Sequence, residues 1–248
     1  MNRLLEVCVD SLASARAAIR GGADRLELCS ALSIGGLTPS AALLEQIRTE
    51  SDIPVRCLMR PRAGDFLYTR EEILQMTREI QVLRCAGASG FVIGCLTADG
   101  ELDRDAMNPL LEAAEGCGLT LHRCIDVSRD PEGTCLLAGM LGIDTVLTSG
   151  SAASCTKGME TIGRLLTLRD QGGPEVLIGA GVSAPVIASF RSRFPSASAF
   201  HMSGKTEIES GMRFRREGIP MGVPGFDEWH IQQTGEELVR AARTALDQ

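Results

Sequence analysis

Short apolar runs alternate with longer amphipathic stretches along the whole chain. The runs predict strands at Leu4 to Val9, Arg25 to Cys29, Pro54 to Arg60, Phe91 to Gly94, Leu119 to Cys124, Thr145 to Thr148, Glu175 to Ile178 and Ala199 to Met202. A helical pattern follows each. Asp10 and Ser11 cap one that Gly21-Gly22 ends, and Thr38-Pro39 opens another with Thr as N-cap and Pro in the first turn. Thr69-x-x-Glu72 is a capping box, with Ile73, Met76, Ile80 and Leu83 at helical spacing behind it. Further helices are expected over 103–115, up to about 141, around 158–170, from Ser183-Pro185 and over 235–247.

Strand then helix, repeated eight times, implies parallel strands joined by crossover helices. A doubly wound open sheet is the alternative. The strand count, the length of 248 residues and polar residues at nearly every strand end favour a single-domain α/β barrel of the TIM type, (β/α)8, over residues 1–248. One irregular piece, about 205–230, is rich in Gly, Arg and Met and longer than an ordinary connection. It reads as a lid or an oligomer contact.

Composition narrows the partners. A net charge of -7 argues against nucleic acid or an anionic membrane. No run approaches the roughly 18 apolar residues of a membrane span, and the start lacks the apolar core of a signal peptide. A cytoplasmic location with reduced thiols is therefore expected. The nine cysteines form no C-x-x-C pair, so a zinc ribbon or thioredoxin-like motif fails on spacing.

The candidate chemistry lies at strand ends, where α/β folds place ligands. Glu6-Val-Cys8 and Glu27-Leu-Cys29 each put a carboxylate and a thiol on one face of a strand. Neighbouring strands run about 4.8 Å apart, so two thiols facing one lumen suit a soft ion such as Cu(I); the alternative is that both fill space while arginines pair the glutamates. Arg60-Pro-Arg62 with Asp65 offers two guanidiniums to a planar anion, unless Arg60 neutralises Glu6 or Glu27. His122, Arg123 and Asp126 supply a proton carrier, a cation and a carboxylate. Ser149-Gly150, Gly179-Ala-Gly181 and His201-Met-Ser203-Gly204 are candidate anion loops after strands six, seven and eight.

At these residues the sequence resembles the CutC copper-homeostasis family. The matching segments are Leu5–Ser11, Gly22–Cys29, Gly35–Ser40, Arg60–Tyr68, His122–Asp126, Val146–Gly150, Gly179–Val182 and Ser210–Arg215. Ala63 departs from an expected glycine, and Cys124-Ile125 from an expected Ala-Phe. The resemblance implies a TIM-type barrel, a cytoplasmic homo-oligomer and a role in copper handling, with Cu(I) held by Cys8 and Cys29. A copper carrier has no need of the arginines, the His-Arg-Asp strand end or the glycine loops. The alternative is therefore a barrel enzyme of acid/base chemistry on a small anionic, possibly phosphorylated, substrate. His122 would be its acid or base, Arg60, Arg62 and Arg123 its anion holders, and Asp65, Asp126, Glu6 or Glu27 its partner carboxylates.

Overall fold

The computed structural model describes residues 3–216, 218–219, 221 and 227–248. Eight parallel strands close into a barrel in sequence order: β1 (Leu4–Val9), β2 (Arg25–Leu28), β3 (Val55–Leu58), β4 (Gly90–Ile93), β5 (Gly118–Leu121), β6 (Thr145–Thr148), β7 (Glu175–Ile178) and β8 (Ala199–Met202). Each is followed by a helix: α1 (Leu12–Gly21), α2 (Ala41–Glu50), α3 (Arg70–Cys85), α4 (Arg104–Ala113), α5 (Pro131–Met140), α6 (Met159–Thr167), α7 (Ala184–Arg193) and α8 (Glu236–Asp247). The expected TIM-type barrel is the architecture found, and no helix among the described residues is long and apolar enough to cross a membrane.

Local signals set the boundaries. Ser11 caps α1 by accepting the Ser14 N–H, and Gly22 ends it at φ 94°. The Thr69–Glu72 capping box at α3 is complete in both directions. Two boundaries differ from the sequence reading. Helix α2 starts two residues later, with Ser40 as N-cap accepting the Leu43 N–H, while the Thr38 hydroxyl accepts the Arg60 N–H. Strand β5 stops at Leu121 rather than Cys124: the His122 side chain accepts the Cys124 N–H and turns the chain into a short 3-10 helix over Arg123–Val127.

Side chains alternate between the helix-facing wall and the lumen. Outward residues such as Leu5, Val7, Leu26, Phe91, Ile93, Val146 and Phe200 form the main core beneath the helices. The lumen is different. Barrels of this type fill it chiefly with Val, Ile and Leu, but here it carries Glu6, Arg25, Glu27, Arg56 and His201, none more than 9% exposed. Arg56 fills the floor on the β3 side. It donates to Thr120 Oγ1 (2.6 Å), Thr145 Oγ1 (3.1 Å) and Asp144 Oδ1 (2.7 Å). Space for it comes from glycines on the next two strands: a Cβ on Gly90 would lie 2.9 Å from Arg56 Cγ and 2.4 Å from the Gly118 carbonyl oxygen.

The stretch read as irregular opens with β9 (Lys205–Glu209), which pairs antiparallel with β10 (His230–Thr234) at and beyond its far end to form an exposed arm. Residues 217, 220 and 222–226 of that stretch lie outside the described residues.

The tight seat of Arg56 gives a direct expectation. Gly90→Ala overpacks the floor and lowers the unfolding free energy by about 1–3 kcal/mol, read from urea denaturation against the parent chain. An unchanged denaturation midpoint would show that Arg56 is not confined there.

Candidate functional site

The register places the charged residues against one another. Glu6 on β1 is opposite Arg25 on β2 and His201 on β8, and Cys8 is opposite Glu27. Arg25 Nε donates to Glu6 Oε2 at 2.5 Å, and His201 Nδ1 lies 2.8 Å from Glu6 Oε1. Burial alone would raise the Glu6 carboxyl, but the Arg25 charge and the His201 contact outweigh it and hold the group at about 2. The other ring nitrogen of His201 faces Glu27 Oε2 at 3.7 Å. Burial alone would lower His201, but the Cys8 sulfur and Glu27 beside it raise its pKa well above the ordinary value. Glu27 is itself raised, by burial first, against the pull of His201.

Ligand atoms of Cys8, Glu27 and His201 all lie within 4.8 Å of one another. This set differs from the pair of thiols expected from sequence. Cys29 comes one residue past the end of β2; its Sγ sits 3.4 Å from Glu27 Oε2, outside that triad but in the same cluster as Cys8, Leu58 and Val92. Burial and the Glu27 carboxylate push the Cys29 thiol well up. The triad suits a soft or borderline ion. The thiolate and imidazole are the donors that thiophilic metals take, and Glu6 on Nδ1 fixes the ring so that Nε2 is the free ligand nitrogen.

Above the triad is a cavity of about 340 Å³ at the barrel mouth, lined by Cys8, Glu27, Arg60, Phe66, His122, His201 and others. A larger one, about 730 Å³, lies between β1 and the arm and is also bounded by Cys8. His122 is buried in the wall of the smaller cavity. A Cβ on Gly94 would meet its ring at 2.6 Å, so only glycine there lets the imidazole lie back. Its Nδ1 accepts the Cys124 N–H at 3.2 Å, which puts the proton of the neutral ring on Nε2. Burial first, then the Arg60 charge, push its pKa down to about 3. His122 is thereby held as a neutral ring with its N–H on Nε2.

The remaining expected residues separate into two groups. Arg60 makes no ion pair among the described residues. Its terminal nitrogens donate to the carbonyls of Ile34, Gly36 and Gly64, so it neutralises neither Glu6 nor Glu27. Arg25 does that for Glu6, a role that alternation along β2 signalled and the motif reading passed over. Arg62 is tied to Glu72 (2.6 Å) and Asp65 (3.0 Å), away from the mouth. Arg123 is bound to Asp126 (2.7 Å) and Ser149 Oγ (2.8 Å). The loop after β6 does bind an anion, but an internal one. Asp126 accepts the amides of Ser149 and Ser151 and the hydroxyls of Thr148 and Ser149. Ser149 thus holds a protein carboxylate in place, while the Gly150 amide is donated to Thr148 Oγ1. Gly179 donates its amide to the Thr148 carbonyl, and the Gly204 carbonyl accepts the Gly235 amide. Gly181 (φ 82°) leads toward Ser183, which with Ser203 and Gly204 bounds a cavity of about 420 Å³ between the loops after β7 and β8. His201 is turned away from that cavity and into the lumen triad.

Comparison with known proteins follows the same outline. The CutC family model matches residues 3–206. A CutC family protein of Chromobacterium violaceum is 40% identical over 249 residues, covering 100% of this chain and 99% of its own. The human copper homeostasis protein cutC homolog is 40% identical over 238 residues, covering 96% of this chain and 86% of its own. The crystal structure of a copper homeostasis protein CutC from Streptococcus agalactiae superposes with a TM-score of 0.74 at 26% identity, over 81% of this chain and 98% of that one. Phosphoribosylanthranilate isomerase from Pyrococcus furiosus, at 15% identity and a TM-score of 0.54 over 99% of both chains, shares the fold alone.

The depressed pKa of His122 has a sign that can be checked. Unfolded, the ring takes a proton near 6.5; folded, it stays neutral down to about 3. Its contribution to stability is present above 6.5 and is lost as pH falls toward 3, with a limiting slope of about 1.4 kcal/mol per pH unit. His122→Gln removes that component, so its stability changes less steeply than the parent's between about pH 6 and pH 4 in urea titrations. Parallel curves for the two chains would mean that His122 is protonated in the fold.

Proposed function

The chain belongs to the CutC family, and we propose that it serves copper homeostasis by holding Cu(I) at the mouth of its barrel. The observation that carries this reading is the meeting of Cys8, His201 and Glu27 within 4.8 Å, with Glu6 already on the far nitrogen of the histidine. Cys8 and His201 supply the soft and borderline donors that Cu(I) prefers. Glu27 is a hard donor, a weak match to that ion. The Cys29 thiol, 3.4 Å from the Glu27 carboxylate, stands ready to take its place as a second sulfur ligand. Binding displaces the protons of the thiols and of the imidazolium, so copper affinity rises with pH.

Glu6 and Arg25 act one step back. A carboxylate on the remote nitrogen fixes ring orientation and raises ligand basicity, and Arg25 holds that carboxylate ionised. The cytoplasm, with its reduced thiols, is the compartment in which such a site keeps its sulfurs available. Exposed Ile208, Met212, Phe214 and Ile231 on and beside the arm support association of copies of the chain through that surface.

Anaerobic titration of the reduced chain with Cu(I), against a competing chelator, tests the reading. One ion per chain is expected. Cys8→Ser abolishes tight binding, and Glu6→Gln weakens it by about 10–100-fold, the usual cost of losing a remote hydrogen bond on a metal-bound histidine. Cys29→Ser distinguishes the ligand sets: loss comparable to Cys8→Ser makes the site two-thiolate, and a small loss leaves Cys8 and His201 as the main donors. Binding unchanged in Cys8→Ser overturns the proposal.

A further inference from the structure

Two donors at the barrel mouth have nothing to donate to. His122 Nε2 and Arg60 Nε are both buried, and neither has a hydrogen-bond partner among the described residues. His122 is 4% exposed, so bulk solvent does not reach it freely. A buried donor left without an acceptor destabilises the fold, and more so on a charged group. Both side chains line the 340 Å³ cavity. They also share one roof. The Phe66 ring lies 4.7 Å from the His122 ring, and the Arg60 guanidinium sits 5.4 Å from the Phe66 centroid.

The rest of each side chain is fixed. His122 Nδ1 is taken by the Cys124 N–H, so Nε2–H is the only group the ring has left to give. Three of the four terminal N–H groups of Arg60 go to the carbonyls of Ile34, Gly36 and Gly64, and its Nε–H is buried without an acceptor. No carboxylate of the described residues neutralises Arg60, in contrast to Arg62 and Arg123. Arg123 and Lys205 also line the cavity, beside Glu27.

We infer that the mouth is a binding site for a small organic oxyanion, a carboxylate or a phosphate ester, whose oxygens accept from His122 Nε2–H and Arg60 Nε–H. A neutral imidazole held with its proton outward donates to a developing or permanent negative oxygen without giving the proton up. Triosephosphate isomerase polarises a carbonyl with a neutral histidine in the same way, there held neutral by a helix N-terminus. The Phe66 ring packs beside both side chains at the cavity wall. This site shares a cavity with the copper triad but none of its ligands, so either reading stands if the other fails.

Histidine side-chain NMR of the ¹⁵N-labelled, metal-free chain tests it at constant ionic strength, with malonate and inorganic phosphate as the two probes and chloride as control. The expected result is a saturable shift of the His122 Nε2–H resonance with at least one probe and none with chloride. Response to malonate alone names a carboxylate, and to phosphate alone a phosphate ester. Affinity falls by about tenfold or more in His122→Asn and in Arg60→Met, as for loss of a hydrogen bond to a charged group. Cys8→Ser retains the response, which separates this site from copper binding. The parent-chain titration needs no variant, so a misfolded substitution does not remove the test. If neither probe moves the resonance beyond chloride, or both variants bind like the parent, the two donors are serving trapped water and the inference is wrong.

Discussion

Glu6 is wholly buried in the middle of a barrel lumen and fully ionised, and it stays so because Arg25 and His201 grip its two oxygens from the strands on either side. Breaking such a buried pair by removing one partner leaves an uncompensated charge, at a cost of about 3–5 kcal/mol. The grip does more than stabilise. It orients the His201 ring, aims its second nitrogen at Glu27 and Cys8, and so defines where a metal could sit. Arg56 performs the matching task on the opposite side of the floor, where Gly90 and Gly118 give it room and Thr120, Thr145 and Asp144 take its protons. A lumen wired this way exchanges apolar packing for fixed polar geometry, which a site needs and a merely stable barrel does not.

Much of the fold was legible because period-two and period-3.6 patterns alternate so regularly, and the eight strands fall within a few residues of where apolar runs predict them. The site was legible only in part. That Glu6, Cys8, Glu27 and Cys29 share the lumen follows from alternation along β1 and β2. Which of them touch does not. Register sets Cys8 opposite Glu27 and leaves Cys29 two positions higher, and register in a closed barrel comes from the stagger of all eight strands together. His201 was assigned to an anion loop because it ends β8. Its true partner, Glu6, is 195 residues away and is revealed only when β8 closes onto β1.

His122 and Asp126 show a second kind of gap. Both sit in the segment that most resembles catalytic machinery, and both owe their state to backbone amides that carry no mark in sequence. Asp126 is consumed by the amides of Ser149 and Ser151 and by Arg123, so a residue that reads as a catalytic carboxylate is the clamp joining the ends of β5 and β6. His122 accepts one amide, from Cys124, and that contact decides which ring nitrogen carries the proton. Side-chain type announces what a residue is able to do; the orientation of a single peptide group decides which of its options is left.

The copper triad and the unpartnered donors pull the mouth in different chemical directions, and the difference is informative. A soft cation is served by Cys8 and His201 and gains nothing from a guanidinium or a neutral imidazole N–H pointing into the same space. Those groups repel or ignore a metal ion, yet the fold spends a glycine at Gly94, a turn at Cys124 and three backbone carbonyls around Arg60 to hold them there unsatisfied. Buried donors kept without acceptors raise the free energy of the folded chain unless something outside it accepts. An oxyanion removes that penalty where a cation would increase it. The mouth thus joins two unlike sets of groups, Cys8 and His201 for the soft cation and the His122 and Arg60 N–H donors for the oxyanion inferred above.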